Sequence, residues 1–463
     1  MTTLRARACL LLTCLLAAYG LAPHPATRLG AAGPATPRPN VIYIVVDSLR
    51  ADHVSSYGYT RTTTPNLDTL AAQGARFDRA MSTSGWTTPA NAANMTGFNP
   101  TSLNLTWTNW WYSLRVNHTT LTEYLHDGGY ATAAFVANGM VSCSIGFSRG
   151  FDSCIDSLAT RPHSDTLALP LTTQVITWTQ QYTNTQPLFL FVYFMDPHTH
   201  YNPPPPYDLM YDSTYTGTLT SEVFGDGEPV ATGQIIPSAR DIEHIIALYD
   251  GEITYTDHYL QVLLDHLRTR GMLDNALIVF ASDHGEQFGE QGLWVHANSV
   301  YEGLVHVPLL MSWPGVITPG LTITTPVQTM DLMPTILDLV GLAVPEGLDA
   351  VSLKPLLQGQ PLTATHEIGA EVDGITDASH WAYWTTSRVD LRAIRDGDWK
   401  LIHHVSHIPD DALYQLQPVA PYEGENVIAQ YPERAAEMRQ ALWNWFGLNR
   451  VFVPLWSSWE TVR

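Results

Sequence analysis

Long apolar runs, each closed by a polar cluster, alternate along this chain with segments of helical period. Asn40–Val46, Leu188–Phe194 and residues 276–281 are uninterrupted β-branched, aliphatic and aromatic stretches. Such runs are the pattern of strands buried on both faces of a parallel sheet. Residues 130–137 and 307–311 read as further strands. Between them, residues 65–74 form a helix with a glycine stop, and residues 121–129 form another. Residues 241–270 place Ile242, Ile245, Ile246, Tyr249, Ile253, Leu260, Leu263, Leu264 and Leu267 along a helical stripe. This alternation predicts an α/β fold, a large mostly parallel central sheet sandwiched by helices. From about residue 365 the texture becomes short alternating segments (381–386 and Trp399–His404) followed by a helix at 432–446. That change predicts a smaller C-terminal antiparallel α+β subdomain over 365–463. Residues 138–165 read as a glycine-containing loop, the proline-rich 195–207 as a stiff one, and 208–238 as a polar insertion without a legible role.

The first 39 residues stand apart. Arg5 and Arg7 precede a short apolar run ending near Ala18, and small residues with a Pro/Ala/Gly-rich stretch follow. The run is too short to span a bilayer comfortably and reads as a secretory signal over 1–22, cleaved near residues 20–22, with a linker over 23–39. An uncleaved anchor, or a lipid on Cys14, is the alternative, and only those routes would bring the protein to a membrane. The expectation is a secreted, periplasmic or otherwise extracytoplasmic protein. Cys143 and Cys154 then remain as a pair suited to one local disulfide, with two buried thiols as the alternative. Of the sequons at Asn94, Asn104 and Asn117, Asn94 lies too near the candidate chemistry to be expected to carry a glycan.

Charge narrows the partners. The 463 residues carry a formal net charge of −21 and only two lysines, Lys354 and Lys400. Nucleic-acid affinity rests on basic patches, so nucleic acid is excluded as the expected partner. An anionic substrate must be held by local positive charge: a metal, histidines or a few arginines.

Candidate chemistry gathers where strands end. Asp47 closes the first strand and Asp283-His284 the third, and ligands of open α/β sheets collect at carboxyl strand ends. A capping role for Asp47 is the competing reading. Thr88-Pro89 reads as a helix start, with the threonine as cap and the proline at the first helical position, which leaves Thr87 just before a helix amino terminus. Two carboxylates, an imidazole and a hydroxyl make a ligand set for one divalent ion, with Mn, Ca, Mg and Zn all open. Asp196 and His200 have the i, i+4 spacing of a second metal pair but lack a third ligand.

In these residues the chain resembles the sulfatases of the alkaline phosphatase superfamily. The similarity is carried by residues 40–52, 64–68, Asp196-Pro197-His198, residues 249–253, Ser282-Asp283-His284-Gly285-Glu286 and 307–310. Residues 395–401 and 413–416 extend it into the C-terminal part. The resemblance implies a sulfatase-like catalytic domain over 40–350 and a metal held by Asp47, Asp283 and His284. It places Thr87 at the nucleophile position and His198 and His296 in contact with substrate, with Arg50 as a further substrate-binding residue. Sulfatases carry Cys or Ser in a Cys/Ser-x-Pro-x-Arg motif, converted to formylglycine. Here Thr87-Thr88-Pro89-Ala90-Asn91 lacks both the convertible residue and the arginine. Ser48 replaces a second aspartate, and His296 stands where many members have lysine.

These departures imply an ester hydrolase acting on a phosphate or sulfate ester through a threonine-linked intermediate. The substrate would be an anionic ester, glycan- or lipid-linked among the options. A phosphoglycerol- or phosphoethanolamine-type transferase and a non-catalytic glycan-binding protein are the alternatives.

Overall fold

The structure, a computed structural model, describes residues 38–105, 114, 118–162, 165–363, 367–373, 390–405, 410–416 and 423–447. The leader at 1–22, Cys14, most of the 23–39 linker, Asn117 and the strand expected at 381–386 lie outside the described residues.

Asn40–Val46 (β1) forms over the expected residues and lies inside an eight-stranded sheet. Both of its faces are apolar. Ile42, Ile44 and Val46 enter one core, while Val41, Tyr43 and Val45 enter the other. Such a strand is stable only with helices on each side. Leu188–Phe194 (β6) and Ala276–Ser282 (β7) divide their side chains in the same way and flank β1 in parallel. Beyond β6 come Ala131–Val136 (β4) and Ser153–Ile155 (β5). Beyond β7 come Leu309–Ser312 (β10), Ala75–Phe77 (β2) and Leu321–Ile323 (β11). The order is β11-β2-β10-β7-β1-β6-β4-β5. β10 alone runs antiparallel to its neighbours, so the sheet is mixed but mostly parallel. Two ribbons join Ala80–Met81 (β3) to Val327–Gln328 (β12), and Gln287–Phe288 (β8) to Trp294–Val295 (β9).

One face of the sheet is covered by Pro65–Ala72 (α1), Ala168–Gln181 (α4) and Ala239–Thr269 (α7). The other carries Thr87–Thr96 (α2), Leu121–Asp127 (α3), Leu332–Leu339 (α9) and Lys354–Leu357 (α10). Reciprocal capping boxes, Thr120 with Glu123 and Ser238 with Asp241, start α3 and α7. The insertion at 208–238 proves to be part of the core. Its two short helices, Ser221–Phe224 (α5) and Glu228–Ala231 (α6), bury Phe224 and Val230 beside Tyr201 and Trp294. Cys143 and Cys154 form a disulfide with an S–S distance of 2.09 Å, tying the 3-10 turn at 143–145 to β5.

The C-terminal unit is a four-stranded antiparallel sheet of Ile368–Asp373 (β13), Asp390–Asp396 (β14), Trp399–His404 (β15) and Ala412–Gln415 (β16). Ile394, Leu401 and Leu413 on one face pack against Pro432–Trp445 (α11). Ile368, Ala370, Ala393 and Ile402 on the other face pack against Trp86 and against Leu304 and Val305 of Glu302–Val305 (α8). Into this second interface β15 also sends Lys400, wholly buried, whose Nζ donates to Glu302 at 2.8 Å and to Glu423 at 2.6 Å.

Candidate active site

Register brings the acidic ligands together. Val46 of β1 lies opposite Ser282 of β7, so the next residues, Asp47 and Asp283, leave adjacent strands side by side. His284 follows and turns its ring inward, with Nδ1–H donating to the Gly285 carbonyl at 2.8 Å and Nε2 facing the carboxylates. Nε2 is 3.5 Å from Asp47 Oδ1 and 3.7 Å from Asp283 Oδ2. Gly285 is required for steric reasons: a Cβ there would meet the Gly303 carbonyl oxygen at 2.1 Å.

The hydroxyl arrives from a separate turn. Ser82 N donates to the Val305 carbonyl at 2.7 Å, and Ser82 Oγ donates to the carbonyls of Ser84 and Asp283. Ser84 Oγ donates to the Glu371 carbonyl at 2.7 Å, and the Ala297 amide to the Gly85 carbonyl at 2.9 Å. Thus the C-terminal sheet and the segment after His296 both grip this turn. Helix α2 begins at Thr87 with Trp86 as its extended N-cap residue, two positions earlier than Thr88-Pro89 suggests. Proline needs only a first-turn position without a required donor, and the third position meets that condition as well. Thr87 Oγ1 lies 3.2 Å from His284 Nε2 and is 1% exposed. Asp47, Asp283, His284 and Thr87, taken from three elements far apart in the chain, therefore converge.

Neutral donors hold the carboxylates in place. Tyr193 OH and Asn91 Nδ2 donate to Asp283 Oδ2 at 2.6 and 3.0 Å. Asn138 Nδ2 and Ser48 Oγ donate to Asp47 at 2.5 and 3.0 Å. Asn91 stands at the position of the family's arginine, and it also bonds the Thr87 carbonyl at 2.9 Å. Sequence reasoning gave no role to Asn138 or Tyr193. The signal available was position, a polar residue at or just past a strand's carboxyl end.

Electrostatics favour a cation at this cluster. Burial pushes the Asp47 carboxyl up, against the opposing pull of His284 and the hydrogen bonds from Asn138 and Ser48. Burial and then the charge of Asp47 push Asp283 up. Burial works to lower His284, but the two carboxylates outweigh it and raise the imidazole. Two acids with no exposed surface and one imidazole between them are stable as anions only with a positive partner. Their ligand atoms all lie within 4.8 Å of one another, which suits one divalent ion. Among the described residues no other group of three such side chains meets that spacing. Asp196 is occupied elsewhere, accepting from the Leu167 amide at 3.0 and 3.1 Å beside α4, so the pairing with His200 is not supported.

Two further imidazoles border the cluster. The His296 ring centre is 4.6 Å from that of His284 and 4.8 Å from that of His198. His296 Nδ1 pairs with Glu286 at 2.9 Å, and His198 Nδ1–H donates to the Thr199 carbonyl at 2.7 Å. Burial, then His296, lower His198 to about 3, so it is neutral near pH 7. Burial raises Glu286 to about 7. Arg50 does not fit the substrate-binding expectation. It is wholly buried, and its guanidinium pairs with Asp52 and Glu290 at 2.8 and 2.7 Å and bonds the Glu286 carbonyl at 2.9 Å. A guanidinium so engaged braces the loop that carries Glu286 instead. Asn94 is 1% exposed.

Comparison with known proteins agrees with this geometry. The family described as Sulfatase matches residues 39–342, and the one described as N-sulphoglucosamine sulphohydrolase, C-terminal, matches residues 289–446. Arylsulfatase K of Mus musculus is 26% identical over 477 residues, covering 94% of this chain and 84% of that protein. The phosphonate monoester hydrolase of Agrobacterium radiobacter superposes with a TM-score of 0.72 at 22% identity, over 89% of this chain and 96% of that one. A protein solved with its substrate D-glucosamine-2-N,6-O-disulfate superposes at 0.74 with 20% identity, over 89% and 99%. With family models matching residues 39–342 and 289–446, the chain belongs to the sulfatase family and is a sulfatase-like hydrolase.

Proposed function

We propose that this protein is an exported, metal-dependent hydrolase of phosphate-type or sulfate esters that works through a covalent Thr87 ester. The observation that carries the reading is the 3.2 Å approach of Thr87 Oγ1 to His284 Nε2 inside the Asp47–Asp283–His284 cluster. A divalent cation bound by those three residues would lower the pKa of the hydroxyl and offset charge on the ester oxygens. The chain's own groups account for the rest. The turn at 82–86 fixes the hydroxyl at the amino end of α2, where the helix dipole favours an anion. Thr87 Oγ forms the bond to phosphorus or sulfur as the bond to the leaving oxygen breaks. Water then attacks the same centre, the bond to Thr87 breaks, and the hydroxyl is restored. His296, oriented by Glu286, stands beside the cluster to stabilise non-bridging oxygens. Neutral His198, its proton held on Nδ1, presents a bare Nε2 that would take the proton of the attacking Thr87 hydroxyl or water and pass it to the leaving oxygen.

Phosphoryl-type esters are favoured over sulfate. A threonine ester lacks the hydrate hydroxyl through which formylglycine expels sulfate, so release depends on external attack, which a phosphoryl centre accepts. The relatives named above act on sulfate or phosphonate esters, and a glycan-linked anionic substrate is in keeping with the glucosamine disulfate bound by one of them. Export is supported by the Arg5/Arg7 apolar leader and the Cys143–Cys154 pair.

The test is turnover of aryl phosphate, phosphodiester, phosphonate monoester and aryl sulfate by chelated protein with Mn, Ca, Mg or Zn restored singly. Activity should return with at least one ion, on a phosphorus ester first. Metal-independent turnover on every substrate would defeat the proposal. Products formed with added glycerol or ethanolamine separate hydrolysis from transfer. A second prediction concerns the donors to Asp283. Tyr193→Phe removes the 2.6 Å bond, and calorimetry should show divalent-ion affinity lower by roughly 10–100-fold. Unchanged affinity would mean that Tyr193 does not hold the ligand.

A further inference from the structure

A groove of about 550 Å³ opens at the amino ends of β4 and β6, at the opposite end of these strands from Asp47 and Asp283. Its floor and walls include Thr132, Asp152, Trp178, Gln181, Tyr182 and Asn184. Its volume lies within the ~300–1,000 Å³ typical of small-ligand sites. We propose that this groove binds a neutral, hydroxyl-rich sugar ring of a glycan.

Three observations carry the assignment. Trp178 and Tyr182, one helical turn apart at the end of α4, stack with ring centres 5.0 Å apart and planes at 23°. Stacking covers the inner faces of the two rings, and the outer face of the stack is an aromatic surface of the kind on which the C–H face of a pyranose lies flat. Polar groups suited to sugar hydroxyls surround it. Asp152 Oδ2 is fixed by the Thr132 amide at 2.9 Å, while the side chain stays half-exposed, and the Gln181 and Asn184 side chains are exposed. Charge selects against an acidic sugar. Among the described residues no Lys or Arg lines the groove, and the two basic groups beside it are already engaged: His126 Nε2 lies 3.5 Å from Asp152 Oδ1, and Arg270 donates to the Tyr182 carbonyl at 3.0 Å. In a chain of −21 net charge, residues 178–186 read Trp-Thr-Gln-Gln-Tyr-Thr-Asn-Thr-Gln, nine positions without a charge.

The inference does not depend on the nucleophile or the metal, because its readout is binding. The whole protein is run through native gels containing soluble starch, galactomannan or mixed-linkage β-glucan, with heparin as the anionic comparison. At least one neutral polysaccharide should retard it. Tyr182→Ala should weaken that retardation roughly tenfold, through loss of one face of the stack. Trp178 is left intact because it also packs edge-on against Phe135. Asp152→Asn and Gln181→Ala provide milder variants should Tyr182→Ala lose its thermal transition. No retardation by any neutral polysaccharide would overturn the proposal. So would retardation by heparin alone, or retardation unchanged in all three variants. A change in sedimentation of these variants without a change in retardation would also overturn it, by assigning the groove to self-association.

Discussion

Thr87→Ala should lower kcat on the best ester by on the order of 10⁴-fold, the scale seen when a covalent nucleophile is removed. The substitution deletes the Oγ1 that lies 3.2 Å from His284 Nε2. It leaves the grip on the turn intact, because Ser82, Ser84, Gly85 and Asn91 make those bonds. Alanine is also a good helix residue, so α2 should persist. Divalent-ion affinity should fall far less than turnover, since Asp47, Asp283 and His284 remain. Thr87→Ser should keep measurable activity, because it retains a hydroxyl on the same backbone. Initial rates for the three proteins, with mass analysis of acid-quenched reactions for a modified Thr87 peptide, provide the check. Wild-type turnover by the alanine variant would remove Thr87 from the chemistry while leaving the family assignment untouched.

Lys400→Met should cost the fold about 3–5 kcal/mol, the range for breaking a buried ion pair from one side. Lys400 is fully buried and is the only lysine beside the Glu302 and Glu423 carboxylates. Its removal leaves two buried acids that, among the described residues, pair only with Arg395, 3.2 Å from Glu302. The damage falls on the interface between α8 and the C-terminal sheet, which also holds Trp86 beside the nucleophile. For a chain of this length the midpoint of thermal unfolding should drop by roughly 5 °C. A triple variant, Lys400→Met with Glu302→Gln and Glu423→Gln, should recover much of the loss, because no charge is then left unpaired. The cluster also sets an acid dependence. Burial opposes ionisation of Glu302, but Lys400 and Arg395 outweigh it and hold the carboxyl down to about 2 from 4.5. A depressed carboxyl contributes stability that is fully present above its unfolded value and lost as pH falls from about 4.5 toward 2. Glu423, which burial pushes up, offsets part of that gain. Calorimetric scans of the wild type, single and triple variants from pH 7 downward test both points. A Lys400→Met midpoint equal to wild type would show that the cluster contributes nothing net.

The central scaffold was legible because its strands carry their own signature. Asn40–Val46 and Leu188–Phe194 begin and end at the expected residues, since an uninterrupted apolar run bounded by polar groups has few other uses. The three-residue strands β2, β5 and β11 left no such trace, and nothing in the run at 307–311 encoded the antiparallel direction of β10. The insertion at 208–238 read as polar because Leu219, Phe224 and Val230 are its few buried apolar anchors among many surface residues.

By itself, the sequence determined the local chemistry: which acids, imidazoles and hydroxyl close the strands and turns, and that the arginine and convertible residue of the sulfatase motif are missing. Those are properties of a few neighbouring residues and need no long-range information. The tertiary structure decided what each group faces. Pairing of Val46 with Ser282 set Asp47 against Asp283, and Asn91, Asn138 and Tyr193 came to hold those acids from 90 or more residues away. It likewise gave Arg50 to Asp52 and Glu290 instead of to substrate. Such partners depend on strand register and on the layering of helices over the sheet, which only the packed chain fixes.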